Sequence, residues 1–371
     1  MSPPFARVEF ATLGATPDPV TVQVIRSEFK HEMLVLRFKD RNLSSRIYRT
    51  DMPIRVEWGV YPRYREEFVG YVHHVRPDVD RREDLFPTIE VICVGPTRAL
   101  RNEDPRNWGT VTVDRVVRQV CDEARLRYDV DPGRRVFSPL MQPSESGWEF
   151  LCEIARDEGY HLSSTKTRVH LWDDERRRTE LQQVALRFSY LTREVERFSP
   201  VTGEMSDRDT EVRQNIATSL SLDGKLSGSS DRIGRVGQAR SSALSPTERY
   251  GRVRDQAVLS SPADARSRLA ADKRSEARVY RATADLSPFP PLRSGDWVVF
   301  EDYGDRQSGY WHVDKVTFSL QRGKISSTVD VSRANARDDG RRPVRPGART
   351  AYRPTVSPRL VSGVWVDRSR R

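Results

Sequence analysis

Cysteine is scarce in this sequence, which has three in 371 residues: Cys93, Cys121 and Cys152. The number is odd, and no pair has the two-residue separation of common zinc-binding and redox motifs. A disulfide framework and a cysteine-based metal site are therefore not expected. Each cysteine lies among apolar neighbours, which predicts buried, reduced thiols that act as small hydrophobic side chains.

Long apolar runs are also missing. No stretch approaches the roughly 18 apolar residues that a membrane-spanning helix needs, and the N-terminus lacks the charged-then-apolar layout of a signal peptide. We therefore expect a soluble protein made in the cytoplasm. Hydrophobic residues make up only 36% of the chain and charged residues 31%, which suits thin β-rich domains whose apolar surface is covered by neighbours. A chain of 371 residues predicts two or three domains.

Lysine is rare as well, because seven lysines accompany fifty-six arginines in a chain of net charge +10. This bias indicates a GC-rich coding genome. Acidic and basic residues are interspersed through most of the sequence, which is typical of solvated faces rather than of a nucleic-acid-binding surface. The exception is a one-sided basic C-terminal stretch with few aromatic residues, formed by Arg341, Arg342, Arg345, Arg349, Arg353 and Arg359, with Tyr352 and Trp365.

Residues 1–104 predict a β-rich domain. β-branched runs and apolar–polar alternation, separated by polar breaks, mark five short strands, at residues 20–25, 33–38, 53–59, 67–75 and 87–95. Such a series favours a sandwich or a barrel.

Residues 105–184 change character and predict an inserted α+β unit. Apolar steps of three and four from Val113 to Ala124 indicate a helix, with Thr112 as N-cap. A second helix is expected over residues 146–159, with Ser146 and Glu149 as a capping box and Gly159 as the C-terminal stop. Its buried stripe is predicted to be Trp148, Leu151, Cys152 and Ala155. A hairpin of residues 160–164 and 168–172 follows.

Residues 185–335 predict a second β-barrel domain. It contains a Gly-, Ser- and Arg-rich loop at residues 223–250 and a mostly polar helix from Pro262 to Arg278. Residues 336–371 form an Arg- and Pro-rich arm that does not bury enough apolar surface to fold alone. The predicted fold class is mainly β, with two similar barrel domains and the α+β insertion between them.

Candidate catalytic and metal-binding residues have simpler explanations. Four carboxylates near Trp148 suggest a glycosidase pair, but Glu149 fits the capping box and the others are expected on the wet face of the helix; they are Glu145, Glu149, Glu153 and Glu158. His73 and His74 should point to opposite faces of one strand. His161 and His170 face each other across the hairpin without an evident third ligand. A Gly-x-Ser-x-Gly elbow and a phosphate-binding loop of the Walker type are both absent.

Three segments, taken together and in order, resemble the phage tail hub proteins related to late control protein D and to the N-terminal half of VgrG spike proteins. The first runs from residues 67–72 (EFVGYV) to residues 88–100 (TIEVICVGPTRAL), like the strands of that family's first barrel. The second and most specific is residues 142–151 (QPSESGWEFL) with Gly159 behind it. The third is residues 291–299 (PLRSGDWVV), similar to the entry into the second barrel, with Ser294 where proline is common.

The resemblance implies a homotrimeric, ring-forming structural protein, not an enzyme, without catalytic residues, metal or cofactor. Two barrels per chain in a trimer would adapt a sixfold tail tube to a threefold tip. The implied partners are the chain itself, the tail tube or distal tail protein, the tip or fibre proteins and the tape-measure protein, while DNA passes through the lumen. Its signature positions here are Gly70, Gly95, Trp148, Phe150, Leu151, Gly159, Gly295 and Asp296.

Two hypotheses from other classes stay open. One is a tail-associated peptidoglycan hydrolase, which the acidic residues near Trp148 would serve. The other is DNA binding by the C-terminal arm, although an arm that wraps a neighbouring tail subunit is preferred. The implied location is the virion tail tip.

Overall fold

The computed structural model describes most of the chain between Pro4 and Arg333, together with two short strands near the C-terminus. The described residues are 4–11, 13, 18–39, 47–60, 64–78, 87–103, 105–142, 145–192, 194–200, 214–220, 226–231, 280–286, 290–303, 307–321, 323–333, 360–361 and 364–365. The expected helix from Pro262 to Arg278 and most of the arm lie outside these residues.

The N-terminal strand group, here called the first strand group, contains six strands whose alternating apolar residues face one core. The strands are β1 (Pro4–Phe10), β2 (Thr21–Ser27), β3 (Met33–Lys39), β4 (Pro53–Val60), β5 (Tyr64–Asp78) and β6 (Thr88–Val94). In β3, for example, Leu34, Leu36 and Phe38 are buried and the residues between them are not. This period of two predicted β2 to β6 and is confirmed there, whereas β1 was not among the predicted strands.

The inserted unit follows, with its own core. It consists of β7 (Arg106–Thr112), α1 (Val113–Glu123), β8 (Arg127–Val130), β9 (Val136–Gln142), α2 (Gly147–Glu158), β10 (Tyr160–Thr165), β11 (Arg168–Asp173) and α3 (Asp174–Gln183). The predicted apolar stripe of α1 is buried except for Ala124, which is half-buried at the C-cap. α1 begins after Thr112 as expected, without a side-chain cap hydrogen bond to the helix backbone. β10 and β11 form the predicted hairpin, and β8 extends it as a parallel third strand.

The C-terminal strand group, here called the second strand group, completes the main core. Its strands are β12 (Leu186–Ser189), β13 (Val195–Pro200), β16 (Tyr280–Leu286), β17 (Trp297–Glu301), β18 (Gly309–Gln321) and β19 (Lys324–Arg333). A separate hairpin pairs β14 (Gln214–Leu220) with β15 (Leu226–Asp231), and β20 (Leu360–Val361) pairs with β21 (Val364–Trp365). β15 corrects the prediction that residues 223–250 are loop throughout.

The two strand groups share one sheet, which corrects the expectation of two closed barrels. β2 pairs antiparallel with β18, so twelve strands form a continuous sheet with the path β1-β4-β5-β6-β3-β2-β18-β19-β16-β13, and β17 and β12 branch from β18. No pairing between described strands closes either group on itself. The hydrophobic core is likewise common to both groups, and Phe318 of β18 packs beside Trp58 of β4.

All three cysteines are buried free thiols, as predicted. Burial raises the pKa of Cys121 and of Cys152 to about 12, which leaves both uncharged and unreactive at neutral pH. Among the described helices, none is long and apolar enough to cross a membrane.

Candidate functional site

The candidate site is the junction at which β2, β18 and β10 meet, because there the two strand groups and the inserted unit touch. The backbone of the turn after β2 makes hydrogen bonds to both β18 and β10. Glu28 N donates to Asp314 O at 3.0 Å, and Phe29 N donates to Leu162 O at 2.8 Å. The junction is therefore built from segments that are far apart in the sequence.

A buried ion network, here called the arginine network, lies on one side of the junction. Arg26 Nε donates to Glu32 Oε1 at 2.6 Å, and Arg26 Nη2 donates to Glu66 Oε2 at 3.2 Å. The Arg26 side chain is 3% exposed and that of Glu32 is 0% exposed. Glu32 Oε2 also accepts from the backbone N–H of Lys166, in the turn of the β10–β11 hairpin, at 2.7 Å. The network thus ties the first strand group to the inserted unit.

The arginine network also reaches the second strand group. The Arg26 guanidinium lies 5.6 Å from the ring centre of Phe318 and 5.7 Å from that of Trp58. Burial raises the pKa of Glu32, and the Arg26 charge opposes that rise. Burial is the largest single influence on Glu66 and disfavours its charge, but the charges of Arg26, Lys166 and Arg293 and the hydrogen bond from Arg26 together outweigh it, so the pKa of Glu66 is lowered.

A histidine cluster occupies the other side of the junction. Nδ1 of His161 lies 3.1 Å from Glu28 Oε1, and its Nε2 lies 2.9 Å from Ser163 Oγ. Nδ1 of His312 lies 2.9 Å from Asp314 Oδ1, which also accepts from the Ser332 hydroxyl at 2.7 Å. Both imidazole rings are 0% exposed, and their centres are 6.1 Å apart.

Gly295 and Asp296 lie in the turn beside His161. The φ of Gly295 is +92°, and a Cβ there would come within 2.7 Å of His161 Nε2, so both the backbone and the close approach require glycine. The Asp296 carboxylate accepts from Arg293 N at 2.7 Å and fixes the turn. Burial raises the pKa of Asp296 to about 6, against the opposing influence of Arg293 and the two histidines. These two signature positions therefore belong to the junction.

Two other signature glycines lie in the first strand group, Gly70 within β5 and Gly95 directly after β6. At Gly70 a Cβ would fall on the Val94 carbonyl and the Phe68 ring, so no larger residue fits. Gly95 N donates to Glu32 O at 2.8 Å, next to the arginine network.

The remaining signature residues lie in α2. The Ser146–Glu149 capping box is present as predicted, and Gly159 ends the helix with φ +71°. The expected stripe, which includes Trp148, is buried, and Phe150 is buried with it. The Trp148 ring also stacks on His31 of the first strand group, with ring centres 4.9 Å apart. α2 therefore fixes the inserted unit against that group.

The acidic residues near Trp148 require two corrections. Glu153 is exposed as expected, but Glu158 is buried, where Arg135 Nη1 donates to it at 2.8 Å. Glu145 precedes α2 and is half-buried instead of lying on the wet face of the helix, and burial raises its pKa above the ordinary value. Glu158 therefore stabilises the fold through an ion pair, and Glu149 stabilises it by capping α2.

The histidine predictions also change. A bulge in β5 between Val72 and His74 breaks the alternation, and His73 and His74 are both exposed. His161 lies opposite Trp172 and His170 opposite Ser163, so the two histidines are diagonal neighbours. His170 Nε2 lies 2.8 Å from Thr165 Oγ1 instead.

The arm residues Arg341, Arg342, Arg345, Arg349 and Arg353 lie outside the described residues. Trp365 lies in β21, opposite Leu360.

Sequence reasoning missed the polar residues of the junction, chiefly Arg26, Glu28, Glu32 and His312. Arg26 occupies a core-facing position in the alternation of β2, between Val24 and the turn, and a charged residue at such a position is the signal that could have found the network. No local pattern connects β2 with β18.

We compared the sequence and the structure with those of known proteins. No known protein family and no curated protein matches the sequence. The 43 kDa tail protein of prophage MuSo2 from Shewanella oneidensis matches in structure with a TM-score of 0.62 and 14% identity, over 90% of this chain and 99% of that one. A tail protein from Neisseria meningitidis MC58 matches with a TM-score of 0.59 and 12% identity, over 89% and 97% of the two chains.

A third structure, the Escherichia coli c3393 protein, is a component of the type VI secretion system with structural similarity to the T4 bacteriophage tail proteins gp27 and gp5. It matches with a TM-score of 0.52 and 12% identity, over 88% of this chain and 76% of its own. At such identities the likeness is one of fold. The chain therefore has the fold of phage tail proteins, in agreement with the resemblance found in the sequence at this coarse level.

Proposed function

We propose that the chain is a structural hub subunit at the distal end of a phage or phage-derived tail. It would join the tail tube to the tip or fibre assembly. The single observation that supports this most strongly is the match of nearly the whole chain to tail proteins of similar length. That likeness also favours a structural role over catalysis.

The open sheet supports assembly into a ring. Among the described strands, β1 pairs only with β4, β13 only with β16 and β12 only with β17, so the sheet ends in three edge strands, of which β1 and β13 end its main path. Exposed edges invite pairing with other chains. Head-to-tail pairing of β13 in one subunit with β1 in the next generates a ring when the rotation closes, and three subunits would close it here.

Exposed apolar side chains at the two ends of β12, the strand that precedes β13 in the sequence, support the same contact. Val184, Tyr190 and Leu191 flank β12 and are 51%, 64% and 76% exposed. Large apolar side chains clustered on a surface mark interaction sites. The neighbouring subunit would cover these three side chains.

The proposed ring has the organisation expected from the sequence. We propose the boundaries 1–104, 105–184, 185–335 and 336–371 as its units, with the two strand groups repeated three times around the lumen. Six groups meet a sixfold tube, while the subunits keep threefold symmetry towards the tip. The tape-measure protein and DNA would pass through the lumen, and the arm would contact a neighbouring tail protein.

The test is electron microscopy of the purified full chain. Class averages should show a threefold ring with a central channel, and Leu191→Asp should reduce the fraction of rings. Met141→Asp is the matched control, because Met141 is 57% exposed on β9 of the inserted unit, which is not part of the twelve-stranded sheet. Rings that survive Leu191→Asp would contradict the proposed contact, and clearing of host peptidoglycan in a zymogram would overturn the structural assignment.

A further inference from the structure

Three potential metal ligands converge in the histidine cluster. Glu28, His161 and His312 each present one ligand atom, and these atoms all lie within 4.8 Å of one another. The Glu28 side chain is 14% exposed and the two histidine side chains are 0% exposed. Within the described part of the chain this is the one group of histidine, cysteine and carboxylate side chains with such spacing.

The surroundings of the two rings match those of metal-binding histidines. Such histidines usually hold their second ring nitrogen in a hydrogen bond to a carboxylate or another acceptor, which fixes the ring. His312 holds Nδ1 against Asp314, and His161 holds Nε2 against Ser163. Nε2 of His312 and Nδ1 of His161 are then the nitrogens that a shared ion would take.

The spacing of the Glu28–His161 pair also fits a small tetrahedral ion, and the ligand atom of His312 lies within 4.8 Å of both. His161 Nδ1 lies 3.1 Å from Glu28 Oε1. Two ligands on one zinc ion, each at about 2.0–2.1 Å, lie about 3.3–3.4 Å apart. Two imidazoles and one carboxylate are borderline ligands that suit zinc better than magnesium or calcium, which prefer oxygen alone.

We propose that Glu28, His161 and His312 bind a divalent transition-metal ion, zinc by the chemistry of the donors, with water as the fourth ligand. Each ligand comes from a different unit: Glu28 follows β2, His161 lies in β10 and His312 lies in β18. The ion therefore joins the inserted unit to both strand groups and stabilises their junction. Because all three ligands come from one chain, the site does not depend on ring assembly or on the tail role.

The test uses the full chain, purified without a polyhistidine tag, with zinc chloride as the probe. About one zinc ion per chain should be retained after dialysis, as measured by inductively coupled plasma mass spectrometry. Saturating zinc should raise the melting temperature by about 5 °C, and EDTA should reverse the shift. Cobalt(II) in place of zinc should give the visible absorption of a tetrahedral site.

Two variants locate the site, and one serves as a matched control. Glu28→Gln and His312→Gln should each weaken zinc binding at least about tenfold, since even groups outside the ligand shell are worth that much. His170→Gln removes a buried histidine of the β10–β11 hairpin, which also carries His161, and should bind zinc as the wild type does. Glu28→Gln alone decides the matter if His312→Gln does not fold, because Glu28 is partly exposed. Wild-type chain without bound zinc and without a melting shift would overturn the proposal, as would undiminished binding in Glu28→Gln.

Discussion

Removal of one member of the arginine network should destabilise the fold much more than removal of a surface ion pair. Arg26→Met leaves the carboxylate of Glu32, which is 0% exposed, without its partner at 2.6 Å. Breaking a buried pair in this way costs about 3–5 kcal/mol, because the remaining charge stays buried without compensation. Glu32→Gln should cost somewhat less, since Glu66 still faces Arg26 and the amide oxygen can accept from Lys166 N.

The double variant separates the cost of a broken pair from the value of the intact pair. Replacing both charges removes the uncompensated one, so Arg26→Met combined with Glu32→Gln should be more stable than Arg26→Met alone by about 2 kcal/mol or more. Arg37→Met is the control, because Arg37 pairs with Glu90 at 3.0 Å while its side chain is 54% exposed. The control should lose less than about 1 kcal/mol.

The assay is urea unfolding at neutral pH, followed by tryptophan fluorescence and by circular dichroism, so that coincident transitions justify a two-state free energy. If Arg26→Met is as mild as Arg37→Met, the network does not hold the junction. If the double variant loses the sum of the two single losses, the two side chains act independently and the reasoning fails.

Two further predictions concern the contact between α2 and the first strand group. Trp148 is 4% exposed, and Trp148→Ala should lower the free energy of unfolding by about 3–5 kcal/mol because it deletes the side chain that anchors α2. Trp148→Phe keeps an aromatic ring against His31 and should lose clearly less. Wild-type melting of Trp148→Ala would contradict this packing. Burial, with the charge of Arg101 as a second cause, lowers the pKa of His31 to about 4, so the folded state favours neutral His31. The stability that comes from this preference is present above about pH 6.5 and is lost as the pH falls towards 4. Between pH 7 and pH 5 the loss amounts to about 2 kcal/mol in urea unfolding, and His31→Gln should remove that part of the pH dependence; an unchanged loss in the variant would contradict it.

Local patterns predicted the elements that carry their own signals. The alternation in β3, the apolar stripe of α1 and the Ser146–Glu149 capping box each depend on residues close in sequence. α3 was not predicted, because its sequence DERRRTELQQ has no apolar stripe to mark a helix.

The junction could not be predicted in the same way, because its contacts join distant segments. The pairing of β2 with β18 places Val24 opposite Phe318, and nothing in either strand identifies the other. The resemblance to hub proteins led to the expectation of two closed barrels, but the described strands form one sheet that is continuous through the β2–β18 pairing. The ligand set of the histidine cluster was missed for the same reason, since Glu28 and His312 meet His161 only after the three units have docked.

The measurement that tests the central claim most directly is the solution mass of the purified full chain, by light scattering over a concentration series. The ring-forming hub predicts a mass near three times 42.7 kDa that persists on dilution. A mass of 42.7 kDa at every concentration would contradict the proposed ring.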